Sequence, residues 1–113
     1  MKSFIRFLTL FILLGSAAGV QAQTDTLRVV TSAECNSCKK RLEHEMSFVK
    51  GVKKVTLDVK SKVLTVLYNP QKSNPADLRK AITLIGYDAD SLPANKKAYD
   101  HLPDCCKKGG HSE

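Results

Sequence analysis

The chain contains no tryptophan, and aromatic residues make up only 6% of its 113 positions. With no aromatic-rich stripe and no long basic run, it lacks the stacking platforms and phosphate-tracking surface that nucleic-acid binding requires. No serine nucleophile motif, paired-carboxylate motif or phosphate-binding glycine loop occurs, so hydrolytic and nucleotide chemistries have no residues to carry them. Long hydrophobic runs are missing too. The apolar stretch at residues 7–14, interrupted by Thr9, falls short of the roughly 20 residues that a membrane-spanning helix needs.

That stretch has instead the layout of a secretory signal peptide. Lys2 and Arg6 make a basic start, small residues follow at 15–19, and Val20-Gln21-Ala22 fits a small-x-small cleavage site before Gln23. No cysteine follows the run, so no lipid is expected at the new N-terminus. The expectation is cleavage after residue 22, export to the bacterial periplasm and no remaining membrane anchor. One small domain over residues 23–92 and an extension over residues 93–113 would remain. The whole chain carries 18 Lys and Arg against 11 Asp and Glu, net +7; losing Lys2 and Arg6 leaves sixteen against eleven, or +5. Export puts nucleic acid out of reach, and this charge reads mainly as solvated surface.

What is present is sulfur, in two close pairs. Cys35 and Cys38 lie within Glu34-Cys35-Asn36-Ser37-Cys38-Lys39, where a strand-like run gives way to a helix-like one. Thiols three residues apart at a helix N-terminus can converge on one small soft ion. The free backbone N–H groups and the helix dipole there favour the thiolate, which is the ligating form. Cys105 and Cys106 form the second pair, flanked by His101 and His111. In an oxidising compartment four thiols can instead become two disulfides, by any of three pairings, and sequence does not choose between oxidation and metal binding. A domain this small has little stability to spare, so a bound metal could contribute to its folding.

Alternation of apolar residues around Leu27, Val29 and Thr31 predicts a first strand near residues 26–32. Cys38, Leu42, Met46 and Val49 then recur at helical spacing, with Lys39, Lys40, Glu43 and Glu45 on other faces, and Gly51 is expected to end this helix. Val52, Val55, Leu57 and Val59 suit a second strand. Lys60-Ser61-Lys62 is a turn short enough only for an antiparallel hairpin into a third strand at residues 63–68. Asn74-Pro75 reads as an N-cap with proline at the first helical position, Leu78, Ala81, Ile82 and Ile85 as the buried stripe, and Gly86 as the stop. Residues 87–92 suit a short last strand interrupted by Pro93, and residues 94–102 an extra short helix ended by Pro103. Residues 104–113 look like a mobile tail. The order strand, helix, strand, strand, helix, strand closes most simply as a ferredoxin-like α+β sandwich, an antiparallel sheet with both helices on one face.

This pattern, with Cys-x-x-Cys after the first strand and Gly86-Tyr87-Asp88-Ala89 near the end, resembles the heavy-metal-associated domain family. That family includes periplasmic mercury-binding proteins, cytosolic copper chaperones and the N-terminal modules of metal-pumping ATPases. The resemblance covers roughly residues 26–92, and Leu102-Pro103-Asp104-Cys105-Cys106-Lys107 is similar to an extension of exported bacterial members. It implies that Cys35 and Cys38 are the metal ligands and that Tyr87 lies on a loop beside them, shielding the site from water. It also implies a soft cargo ion, Cu(I) first with Zn(II) or Hg(II) as alternatives, and a metal-transporting ATPase or other metal-handling protein as partner. The chain departs from the family where Gly-Met-Thr usually precedes the first cysteine, since Ser32-Ala33-Glu34 stands there and lacks the methionine that packs beneath the loop.

Further ligands suggest themselves on chemical grounds. Soft thiolates select Cu(I) and Zn(II), and a carboxylate from Glu34 would favour the divalent ion. Cys105 and Cys106 could join the first pair on a flexible tail, make a second site with His101 or His111, or form a strained disulfide with each other. Lys39, Lys40 and Arg41 could dock an acidic partner, against the plainer reading of a solvated helix face. His44 reads as surface and Met46 as packing. The expected function is a non-enzymatic metal carrier or buffer, monomeric or dimeric around a shared metal. The alternatives are a thiol–disulfide redox module and a metal-responsive module that docks a transporter or sensor. Against the redox reading, no tryptophan precedes Cys35, and the parallel βαβ order and proline-bearing loop of thioredoxin-like proteins are missing.

Overall fold

The structure is a computed structural model that describes residues 23–108. The expected signal segment, residues 1–22, and His111 lie outside the described residues. Among those residues no helix is long and apolar enough to cross a membrane.

Three antiparallel strands form the sheet, β1 (Asp25–Val30), β2 (Val52–Asp58) and β3 (Val63–Tyr68), in the order β1-β3-β2. The register places Val29 opposite Leu64 and Leu64 opposite Leu57, with Leu27, Val66 and Val55 in the next apolar row. Side chains alternate across a strand, so the intervening row of Arg28, Thr65 and Thr56 faces the other way. Two helices cover the apolar face, α1 (Asn36–Met46) and α2 (Pro75–Ile85). Leu42 and Met46 of α1 and Leu78 and Ile82 of α2 are completely buried with Val29, Leu64 and Val66. This is the ferredoxin-like sandwich expected from the element order.

Helix boundaries follow local chemistry. Asn74 caps α2 by accepting the Asp77 N–H at 2.9 Å, and Pro75 occupies the first turn where its missing N–H costs nothing. The α1 helix starts two residues before Cys38 and stops at Met46, not at Gly51. From Ser47 to Val49 each N–H reaches back only three residues, so the last turn tightens before Gly51, at φ +82°, swings the chain into β2. Val49 still packs against the core from that turn.

The fourth strand contracts to a single bridge between Thr31 and Ala89. The cause is a tight turn in which Ala89 and Leu92 bond to each other and Asp90 takes φ +50°. Asp90 donates its N–H to the Val30 carbonyl at 2.8 Å and accepts the Val30 N–H on its carboxylate at 2.9 Å, so it caps the open edge of β1 where a ladder would have run. Pro93 has no N–H to extend the pairing.

The tail is the larger departure. The extra helix forms as α3 (Lys96–Asp100), capped by Asn95, but residues 104–106, expected as the start of a mobile tail, make a 3₁₀ turn packed against α1; residues 109–113 of that tail lie outside the described residues. Leu102 and Cys106 are buried, and Leu102 sits on Gly86. Gly86 has φ +122°, and a Cβ there would lie 3.0 Å from Leu102 Cγ and 3.1 Å from the Ala98 carbonyl. Gly86→Ala is therefore expected to destabilise the protein by about 1–3 kcal/mol, read as a lower urea midpoint. An unchanged midpoint would contradict this account of how the tail is seated.

Candidate metal centre

Cys35 is the N-cap of α1, and its sulfur accepts the Cys38 N–H at 3.4 Å, a role more often filled by a serine or aspartate oxygen. Its carbonyl accepts the Lys39 N–H at 3.0 Å. One turn of helix then puts Cys38 on the buried face beside Leu42, so the motif presents one half-buried sulfur and one completely buried. The two sulfurs are 2.8 Å apart. Either thiol can donate to the other.

The loop that carries Cys35 is held without a methionine. Ala33 is completely buried beneath it, and its N–H reaches Thr31 Oγ1 at 3.2 Å. Ser32 Oγ accepts the Asp88 N–H at 2.9 Å, tying the loop to the segment after α2.

The tail thiols close over this pair. The sulfurs of Cys35, Cys105 and Cys106 all lie within 4.8 Å of one another. Cys105 and Cys106 sulfurs are 3.8 Å apart, and the Cys35 sulfur lies 3.3 Å from the Cys105 carbonyl oxygen. For a metal–sulfur bond of about 2.3 Å, tetrahedral ligands stand about 3.8 Å apart and opposed ones about 4.6 Å. The cluster is thus near the size of a shared site, with Cys35 needing to move away from Cys38. All four cysteines are free thiols.

Proton affinities divide the cluster. Burial pushes the Cys35 thiol up, aided by the adjacent Cys38 sulfur. Burial pushes Cys38 the same way, but hydrogen bonds from the Cys35 thiol, the Glu34 amide and the Cys106 thiol outweigh it, leaving Cys38 below an ordinary thiol. Cys106 is pushed up to about 12, by burial first and then by Cys38. The Cys38 proton is therefore held more loosely than those of Cys35 and Cys106. A soft cation that displaced those protons would find its ligands already gathered.

Tyr87 is completely buried against this cluster. Its pKa is raised, by burial first and then by the Cys106 and Cys38 sulfurs, which are the groups its buried hydroxyl faces.

Other predicted site residues go elsewhere. Glu34 is outside the sulfur cluster, and its carboxylate accepts from Lys62 Nζ at 3.0 Å. His101 is exposed at the end of α3, with Nδ1 2.7 Å from the Lys97 carbonyl, so it is not brought to the thiols. Lys39 pairs with Glu43 at 2.7 Å and donates to the Leu57 carbonyl at 3.0 Å. Lys40 and Arg41 line an open groove with Ser37, His44, Glu45, Pro103 and Cys106, next to the centre.

With the geometry described, comparison with known proteins identifies the family. The heavy-metal-associated domain model matches residues 29–88. The chain belongs to the heavy-metal-associated domain family. It is 34% identical over 64 residues to copper-transporting ATPase 2 of Homo sapiens, a match spanning 57% of this chain and 4% of that protein. Among solved structures, oxidized MerP from Ralstonia metallidurans CH34 superposes with a TM-score of 0.57 at 25% identity, covering 60% of this chain and 96% of MerP. The apo N-terminal domain of the zinc(II) ATPase ZiaA has a TM-score of 0.52 at 25% identity over 80% of this chain and 88% of that one. Family members are heavy-metal-binding modules, with copper and mercury proteins among the relatives.

The residues that fasten the tail were not read from the sequence as functional. Lys108 pairs with Asp88 at 2.6 Å, Asp88 accepts the Ala94 N–H at 2.8 Å, and Tyr99 Oη accepts the Lys108 N–H at 3.0 Å. An apolar Leu102 after a capped short helix was the signal available for a packed tail.

Two of these carboxylates set an acid limit. Burial opposes ionisation of Asp88, but Lys108 and the Ala94 N–H hold its pKa below 3.8. The Val30 N–H and Arg79 do the same for Asp90. A pKa lower in the folded than in the unfolded state gives stability that is present above pH 3.8 and lost as pH falls through the depressed value. The urea midpoint should therefore drop below about pH 4 less steeply in Asp88→Asn and Asp90→Asn than in the parent. Parallel curves would contradict this role.

Proposed function

We propose that this protein is a non-enzymatic carrier or buffer of a soft heavy-metal ion, bound through Cys35 and Cys38, with Cu(I) the first candidate and Zn(II) or Hg(II) the alternatives. The observation that carries this reading is the convergence of thiols at the start of α1, one of them with a lowered pKa, in a chain of the heavy-metal-associated family. Sulfur ligands at this spacing favour soft ions, and all-sulfur surroundings disfavour hard ones such as Mg(II). Glu34, paired with Lys62, gives no added support to a divalent preference.

The ion is cargo. It would arrive at the half-buried Cys35 and be drawn to Cys38, each thiol releasing its proton as it ligates. A thiolate from a partner could add from the Cys35 side, and the ion would pass by ligand exchange without being set free. Burial of Cys38 and Tyr87 keeps water from the inner side of the centre. The relatives named above support a metal-transporting ATPase or another metal-handling protein as partner, with Lys40 and Arg41 on the adjacent groove suited to acidic side chains. Export to the periplasm rests on the N-terminal sequence pattern alone.

In anaerobic competition against a chromogenic Cu(I) chelator, the reduced protein should take up one ion per chain. Cys35→Ser and Cys38→Ser should each weaken that binding by more than about 100-fold. Parent-like affinity in either variant would remove the assignment.

A further inference from the structure

The family match ends at Asp88, and the segment folded over the thiols lies beyond it. That segment is fastened at several independent points. Asn95 donates its N–H to the Thr83 carbonyl at 2.9 Å, Leu102 is buried on Gly86, and Lys108 closes the far end on Asp88. These contacts hold Cys105 and Cys106 where their sulfurs meet Cys35, with Cys106 only 4% exposed.

A buried cysteine often serves only as a small apolar side chain. Two observations argue against that here. The neighbours of Cys106 at this end include the sulfurs of Cys35 and Cys105, so the segment buries sulfur against sulfur. The Tyr87 hydroxyl is also buried beside the cluster, where the Cys106 and Cys38 sulfurs are the groups that act on it. A metal-bound thiolate is a stronger acceptor than a thiol, so a loaded centre would satisfy this buried hydroxyl better than the thiols do.

We propose that residues 93–108 are a cap that supplies Cys105 and Cys106 as third and fourth thiolate ligands, so that the protein holds its ion in a closed all-sulfur centre. This rests on the reading of Cys35 and Cys38 as metal ligands. Each added thiol gives its proton to solvent on ligation, and no atom changes oxidation state. A four-thiolate centre leaves no open position for an incoming ligand. The capped protein therefore retains its ion, and release requires the cap to lift from Asp88 and Gly86. Closure also leaves no position for thiolates of a second copy, so the loaded protein stays monomeric.

The test uses the reduced protein loaded anaerobically with one equivalent of Zn(II). X-ray absorption should count four sulfurs around zinc in the parent, and two sulfurs with lighter atoms in Cys105→Ser/Cys106→Ser. Zn(II) affinity should fall about 10- to 100-fold in that variant, and light scattering should find the loaded parent monomeric. If the double variant loses its fold by circular dichroism, Cys105→Ser alone, at a half-buried position, should count three sulfurs. Two sulfurs in the parent, parent-like affinity in a folded tail variant, or a metal-bridged dimer would each overturn the cap while leaving Cys35 and Cys38 as ligands. A reduced parent that binds no Zn(II) and no Cu(I) would overturn both readings.

Discussion

One buried sulfur organises this molecule. Cys38 stands in the first turn of α1 with no exposure to water, yet its proton is held more loosely than that of an ordinary thiol. Burial alone would drive the pKa up, since charge is costly away from water. The opposite result comes from donors at close range, namely the Cys35 thiol, loop amides and the Cys106 thiol. Those donors arrive from three parts of the chain: the loop after β1, the helix start and the C-terminal cap. The sandwich is the scaffold that brings them together.

Seen this way, the apolar core and the sulfur cluster are continuous. Cys38 and Cys106 belong to the same buried set as Leu42, Tyr87 and Leu102. A shift in the tail is thereby felt at the thiols, and proton or metal occupancy at the thiols is felt in the tail. The ion pair between Lys108 and Asp88 is too exposed to fasten the cap strongly by itself. Leu102 on Gly86 supplies the apolar part of that contact.

Most of the scaffold was legible in the sequence because it is written in local rules. The hairpin at residues 58–63, the Asn74-Pro75 helix start and the Gly86 stop each depend on a few adjacent residues, and each stands where those residues put it. The Cys35 and Cys38 pair was legible for the same reason. The misreadings share a different cause. Loss of the fourth strand depends on Asp90 reaching across sixty residues to Val30, and the seating of the tail depends on Leu102 meeting Gly86. Nothing local announces the Asp90 contact, and for the tail the only local sign is an apolar Leu102 after a capped short helix. Residues 104–108 are polar and lysine-rich and read as tail, although Leu102, Cys106 and the Asn95, Tyr99 and Asp88 contacts together seat the segment. His101 and Glu34 were candidate further ligands by type, and the structure places the first beside the Lys97 carbonyl and the second beside the Lys62 ammonium.

The most direct test of the central claim is metal analysis of the protein isolated anaerobically from its native compartment, with thiols counted in the same sample. The account predicts close to one soft ion per chain, with Cys35 and Cys38 protected from alkylation until a strong chelator removes it. A Cys35–Cys38 pair that is permanently oxidised, and that retains no ion after gentle reduction and reloading, would contradict it.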